Sequence, residues 1–205
     1  MDSAIYKPAN WLDPFDWRQV FGNDHPVEID LGCGKGGFLV WAAQTRPAHN
    51  FVGVERQLDR LRRVDKKIRR AGLANARLLR VEAGYFVGKL IPDHSIAAYH
   101  ILFPDPWPKR RHAKHRLFQP AFVAELHRTL GQGGVINIAT DDHDYFALIR
   151  KVMAEKFTET KLEVLPAEAM TEFEKIFVTA GKPIGRARFE GRATHLASLP
   201  ESRHT

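Results

Sequence analysis

The 205-residue chain holds a single cysteine, Cys33. That excludes an internal disulfide framework and any multi-cysteine zinc site. No apolar run approaches the ~20 residues that span a bilayer. From Met1 to Trp17, acids and prolines stand where a secretory leader needs an apolar block, so the expected setting is the cytoplasm. Internal repeats and low-complexity tracts are also missing. Acids are outnumbered: 24 Asp and Glu against 31 Lys and Arg leave a formal charge of +7. That surplus fits a polyanionic partner or plain solubility, and charge alone does not choose. With 44% hydrophobic and 27% charged residues, the chain is globular and long enough to bury one core.

What is present alternates between short apolar runs and amphipathic stretches. Residues 1–25 read as an N-terminal arm that packs through Trp11, Phe15 and Trp17. Residues 26–192 form the main domain, and 193–205 a C-terminal tail. Strands are predicted at Val27–Leu31, Phe51–Glu55, Ala76–Val81, Ser95–Phe103 and Val135–Ala139. Helices are predicted at Phe38–Thr45, Gln57–Ala71, Leu117–Leu130 and His143–Phe157. The alternation implies an α/β fold whose mostly parallel sheet is covered on both faces. Lys161–Leu165 and Ile184–Phe189 read as an antiparallel C-terminal edge hairpin without a long helix between its strands. Ligands bind such sheets at the carboxyl ends of the strands. Those ends carry Asp30, Glu55, Glu82, Asp105 and Asp141.

Asp30-Leu31-Gly32-Cys33-Gly34-Lys35-Gly36-Gly37 follows a strand and opens a helix. Its glycines permit a tight turn and close approach of a ligand to backbone. With Glu55 placed as a ribose-binding acid, the loop fits NAD and S-adenosyl-L-methionine about equally. Two features tilt the balance. Asp30 would repel a pyrophosphate but favours the cationic aminoacyl end of S-adenosyl-L-methionine, and Glu82 suits an adenine amino group. Cys33 reads as packing only.

Phe103-Pro104-Asp105-Pro106-Trp107-Pro108 holds one acid between prolines that stiffen the segment. A rigid acid beside a stacking surface suits a planar base. Lys109 to Arg116 follows, with five Lys or Arg, two His and no acid, and reads as RNA contact through phosphates. His112 and His115 lack a partnering acid or cysteine, so no metal site is expected. Arg56 to Arg70 reads as the solvated face of a basic helix that adds general attraction for RNA.

At this point the chain resembles the bacterial tRNA (guanine-N7-)-methyltransferases. The resemblance rests on Asp30 to Gly36, Val52-Gly53-Val54-Glu55, Phe103 to Lys109, Arg111-His112 with Arg116, Ala139-Thr140-Asp141 and Thr171-Glu172-Phe173-Glu174, in the family's order over residues 27–189. It implies a Rossmann-like class I methyltransferase fold over residues 26–192. It further implies transfer of the methyl group of S-adenosyl-L-methionine to N7 of a guanine in the tRNA variable loop. By position, Asp30, Glu55 and Glu82, with Gly32 and Gly34, match the cofactor site, and Asp105 matches the residue regarded as catalytic. Lys109, Asp141, Thr171 and Glu174 match substrate-binding positions, and Arg110, Arg111, Lys114 and Arg116 are the expected RNA contacts. Asp30 stands where the family usually has Glu, and Glu82 where it has Asp. The implied partner is tRNA, with no membrane and no metal, and a monomer or homodimer.

Three other readings compete, one of them a methyltransferase acting on another RNA or a small molecule, against which the basic run argues modestly. An NAD-dependent oxidoreductase needs a Tyr/Lys or His/acid set in the second half, where Tyr99 and Tyr145 stand alone. A non-catalytic RNA-binding module needs a spoiled cofactor loop or a missing Asp105, and both elements are present.

Overall fold

The structure, a computed structural model, describes residues 2–107, 110–162 and 164–192. Seven strands form one sheet: β1 (Val27–Leu31), β2 (Asn50–Val54), β3 (Ala76–Leu79), β4 (Ile96–Leu102), β5 (Leu130–Thr140), β6 (Phe157–Thr160) and β7 (Gly185–Gly191). Their spatial order is β3-β2-β1-β4-β5-β7-β6. The first five pair in parallel, and β7 runs antiparallel to both of its neighbours. The helices are α1 (Trp17–Phe21), α2 (Gly37–Thr45), α3 (Leu58–Arg70), α4 (Ala83–Tyr85), α5 (Pro120–Thr129), α6 (His143–Met153) and α7 (Glu172–Thr179). A π-helical turn, Phe86–Leu90, extends α4.

Side chains alternate across the strands, and β2 and β3 feed a core on each face of the sheet. Val27, Ile29 and Leu31 of β1 join Tyr99, Ile101, Ile136, Ile138 and Phe189 beneath the π-helical turn, α5 and α6. On the opposite face, α2 and α3 pack Phe38, Leu39, Leu61, Val64 and Ile68 on Phe51, Ala76 and Leu78. The N-terminal arm closes the β3 edge: Ile5 bridges Leu78 in parallel, and Phe15 and Val20 enter the larger core. Trp17 packs there as expected, while Trp11 stays half-exposed and offers its carbonyl to the Tyr85 hydroxyl (2.7 Å).

Several sequence-predicted boundaries move, each for a local reason. The helix predicted from Leu117 begins at Pro120, because proline suits the first helical position and holds Gln119 extended (φ −108°, ψ 156°). β5 starts at Leu130 rather than Val135, since Leu130 already pairs with Ile96. The helix predicted to Phe157 stops at Met153, and buried Phe157 opens β6 opposite Gly191. The strand predicted at Lys161–Leu165 is therefore displaced to Phe157–Thr160. Val164 is exposed and Leu165 packs against the α2–α3 cluster instead. The segment between β6 and β7 also contains α7, which the hairpin reading omitted. Among the described residues no helix is long and apolar enough to cross a membrane.

Candidate active site

The chain must turn sharply between β1 and α2. Gly32, Gly34 and Gly36 do so with left-handed backbone (φ 85°, 54° and 71°), a region that a Cβ disfavours. The amides of Gly32 and Cys33 each donate to the Val54 carbonyl (2.9 Å), fastening the loop to the end of β2. At Gly36 a Cβ would lie 2.5 Å from Val64 Cγ1, whereas at Gly32 it would meet open space. The loop is thus packed against α3 on one side and bare on the other.

The bare side opens into a cleft of about 730 Å³ at the carboxyl ends of the strands. Gly32, Glu55, Glu82 and Asp105 all line it, together with Arg56 and Arg80. Glu55 is buried, with Oε1 accepting from the Gln57 amide (2.8 Å) and Arg60 at 3.7 Å from Oε2. Glu82 caps α4, accepting from the amides of Gly84 (2.9 Å) and Tyr85 (2.7 Å). Asp30, inside β1, is 3% exposed and has neither a hydrogen bond nor an ion pair among the described residues. Burial, and then the nearby Glu55 charge, push its carboxyl up to about 7. Cys33 is buried too, and burial raises its thiol well above the ordinary range, which suits packing rather than reactivity.

Asp105 stands on a strained segment. Phe103 and Trp107 both have positive φ (57° and 44°), a conformation costly for bulky side chains. Three contacts hold it. Phe103 donates its amide to the Ala139 carbonyl (2.7 Å), and Trp107 donates to Asp105 Oδ1 (3.1 Å). Arg116 donates to the carbonyls of Pro106 (2.8 Å) and Trp107 (3.4 Å), its guanidinium 5.4 Å from the Tyr145 ring. The Phe103–Ala139 bond brings the ends of β4 and β5 together, and Asp105 and Asp141 each follow it by two residues.

Not every predicted site residue reaches the cleft. Arg116, expected on RNA, is turned inward as a strut for the Asp105 segment. Thr171 caps α7 by accepting from the Glu174 amide (3.1 Å), and Glu174 is 2% exposed with its carboxylate 2.7 Å from Arg186. In the structure both hold α7 in place. Asp141 is half-buried at the end of β5, beside Asp142, which caps α6. Arg110 begins a 3-10 turn to His115, on which Arg111 and Lys114 are exposed. Lys109 lies outside the described residues. Among the described residues no cluster of His, Cys, Asp and Glu could hold a metal ion.

Comparison with known proteins addresses what this site serves. The family model described as "Putative methyltransferase" matches residues 24–187. A tRNA (guanine-N(7)-)-methyltransferase of Bacillus subtilis is 33% identical over 198 residues, 93% of this chain and 92% of the relative. One from Chlamydia caviae is 32% identical over 198 residues, 92% of this chain and 88% of the relative. The chain belongs to this tRNA (guanine-N7-)-methyltransferase family. Solved structures agree on the fold. The 16S rRNA methyltransferase KamB superposes with TM-score 0.64 at 15% identity, covering 93% of this chain and 98% of its own. The antibiotic-resistance methyltransferase Kmr gives 0.59 at 19% identity, with 86% and 92% covered. These structures share with this chain the Rossmann-like class I sheet that places the cleft here.

Proposed function

We infer that this chain is a tRNA (guanine-N7-)-methyltransferase, a cytoplasmic enzyme that methylates a variable-loop guanine with S-adenosyl-L-methionine. The observation that carries the reading is one cleft in which a bare glycine turn, Glu55 and Glu82 are faced by an acid on a rigid proline segment. The residues suit this cofactor. Asp30 is a buried carboxylate with no cation among the described residues, next to an open glycine backbone, which favours a positively charged ligand over a pyrophosphate. Asp30 would compensate the aminoacyl end, Glu55 the ribose hydroxyls and Glu82 the adenine edge. When bound, S-adenosyl-L-methionine supplies an electrophilic methyl group on a sulfonium sulfur.

Guanine N7 carries a lone pair and no proton, so the protein needs no general base. It must hold the base in line with the methyl group and offset the positive charge that grows on the purine. Asp105 serves both ends: its segment is pinned by Arg116 and Ala139, so the carboxylate does not reorganise as charge develops. Arg111 and Lys114, exposed just beyond Trp107, supply phosphate contacts. The test is methyl transfer from labelled S-adenosyl-L-methionine to unmodified bulk tRNA, followed by nucleoside analysis. Label in 7-methylguanosine is expected. Label in another nucleoside overturns the guanine-N7 assignment, and no label with the cofactor bound overturns the substrate.

A further inference from the structure

α7 is amphipathic in reverse. Its charged Glu174 is buried, while Phe173, Ile176 and Val178 are 50%, 60% and 48% exposed. A solvent-facing helix does the opposite, and clustered exposed apolar side chains mark a contact surface. Here the apolar face is organised. Phe173 and Phe177 are stacked (centroids 6.4 Å, planes at 19°), and Phe177 lies 5.6 Å from Phe103, which opens the segment carrying Asp105. The Lys182 ammonium sits 5.1 Å from the Phe177 ring, and Lys175 is exposed on the same helix. The start of α7 is tied to the glycine turn, with Glu172 3.7 Å from Lys35. An aromatic row thus leads outward from the cleft, with cations beside it.

We propose that Phe173 and Phe177 form a stacking platform for an unpaired nucleobase of the tRNA next to the target guanine, with Lys182 supplying charge for its phosphate. This rests on the tRNA methyltransferase reading. A nucleobase is favoured over an apolar protein surface by charge complementarity. Lys182 borders the Phe177 ring, Lys175 is exposed on the same helix, Arg111 and Lys114 lie past Trp107, and the chain is +7 overall. Unpaired bases bind in this way because every base offers a π-face to an aromatic side chain.

The test compares Phe173→Ala, Phe173→Leu and Phe173→Trp in the full chain by tRNA binding across a salt series and by steady-state methylation. Phe173 is half exposed, so none of the three removes core packing. Loss of one stacked base weakens binding about five- to a hundredfold. That loss is expected for Ala and, in the main, for Leu, while Trp stays within about twofold of the unmodified chain. The defect should enter KM more than kcat. The slope of log affinity against log salt should not change, because no phosphate contact is lost. Four results overturn the proposal: Phe173→Ala binds tRNA normally, Leu restores binding as well as Trp, the salt slope falls, or Phe173→Ala dissolves a dimer while sparing tRNA binding. Formation of 7-methylguanosine by the unmodified chain tests the function reading separately, so the two can fail independently.

Discussion

Asp30→Asn should make the ligand-free protein more stable and the cofactor complex weaker. The carboxyl is 3% exposed and has no cation beside it among the described residues, and burial and Glu55 push it from an ordinary 3.8 to about 7. Each pH unit between these values corresponds to about 1.36 kcal/mol. The ionised side chain therefore opposes folding by up to about 4 kcal/mol. The sign follows from proton counts. Between pH 3.8 and about 7 the folded chain holds a proton that the unfolded chain has released, so stability falls as pH rises through this window and levels above it. The amide variant lacks this term. In urea denaturation from about pH 5 to about pH 8, its advantage over the unmodified chain should grow to about pH 7 and then stay constant. Calorimetric titration with S-adenosyl-L-methionine should show the reverse. Affinity in the unmodified chain strengthens with pH up to about 7 and is weaker throughout in the variant. A stability difference that ignores pH, or a variant less stable than the parent at about pH 8, would refute the claim that Asp30 is an uncompensated buried charge.

Asp105→Asn should lower kcat about a hundred- to a thousandfold, the scale of losing one preorganised charge contact, with cofactor binding in equilibrium dialysis changed less than about twofold. Methylation within about threefold of normal would remove Asp105 from catalysis. Gly36→Ala combines left-handed strain with a Cβ 2.5 Å from Val64 Cγ1 and should cost about 2–5 kcal/mol in denaturant unfolding. If crowding by Val64 contributes, Gly36→Ala in a Val64→Ala background costs less than in the parent, and strict additivity would dismiss it. Lys114→Ala should reduce the salt slope of tRNA binding by about one and leave cofactor affinity intact; an unchanged slope would mean that Lys114 touches no phosphate.

The parts of this fold that could be read from sequence are those where period and punctuation coincide. The bounds of β1 match because five apolar-patterned residues run straight into glycine, and those of α3 match to within one residue at each end because its apolar positions recur at helical spacing up to Gly72, whose φ is 66°. The C-terminal third was harder. Phe157 continues the apolar pattern of α6, and only pairing with Gly191 assigns it to the sheet. α7 did leave a local signal. Thr171 followed by Glu174 is the start signature of a helix, and the Thr171 hydroxyl does accept from the Glu174 amide. Read as a substrate motif, the pair hid the helix that it caps. The structural contact of Arg116 is hidden in the sequence for another reason. Within a basic run every cation resembles its neighbours, and only tertiary contact turns this one onto the carbonyls of Pro106 and Trp107.

The clearest pointer to the site is a contrast within β1. Glu28 and Asp30 are two residues apart, so they project from the same face of one strand, and both are buried. Glu28 is surrounded by Arg46 (2.7 Å), His49 (2.7 Å) and His100 (2.7 Å). Burial alone would raise its carboxyl, but the hydrogen bond from His100 and the adjacent charges bring it below the ordinary value. Burial also lowers His100, keeping the ring neutral: Nε2 donates to Glu28 and Nδ1 accepts from Asn137 (3.2 Å). In that group the Glu28 charge is met from within the protein. Asp30 has the opposite surroundings, with a second carboxylate nearby and no cation among the described residues. A fold that carries three charged or titratable partners for one buried acid, and none among the described residues for the next, has left the second to be neutralised from outside. The bare backbone of Gly32, two residues on, gives a cationic ligand its approach.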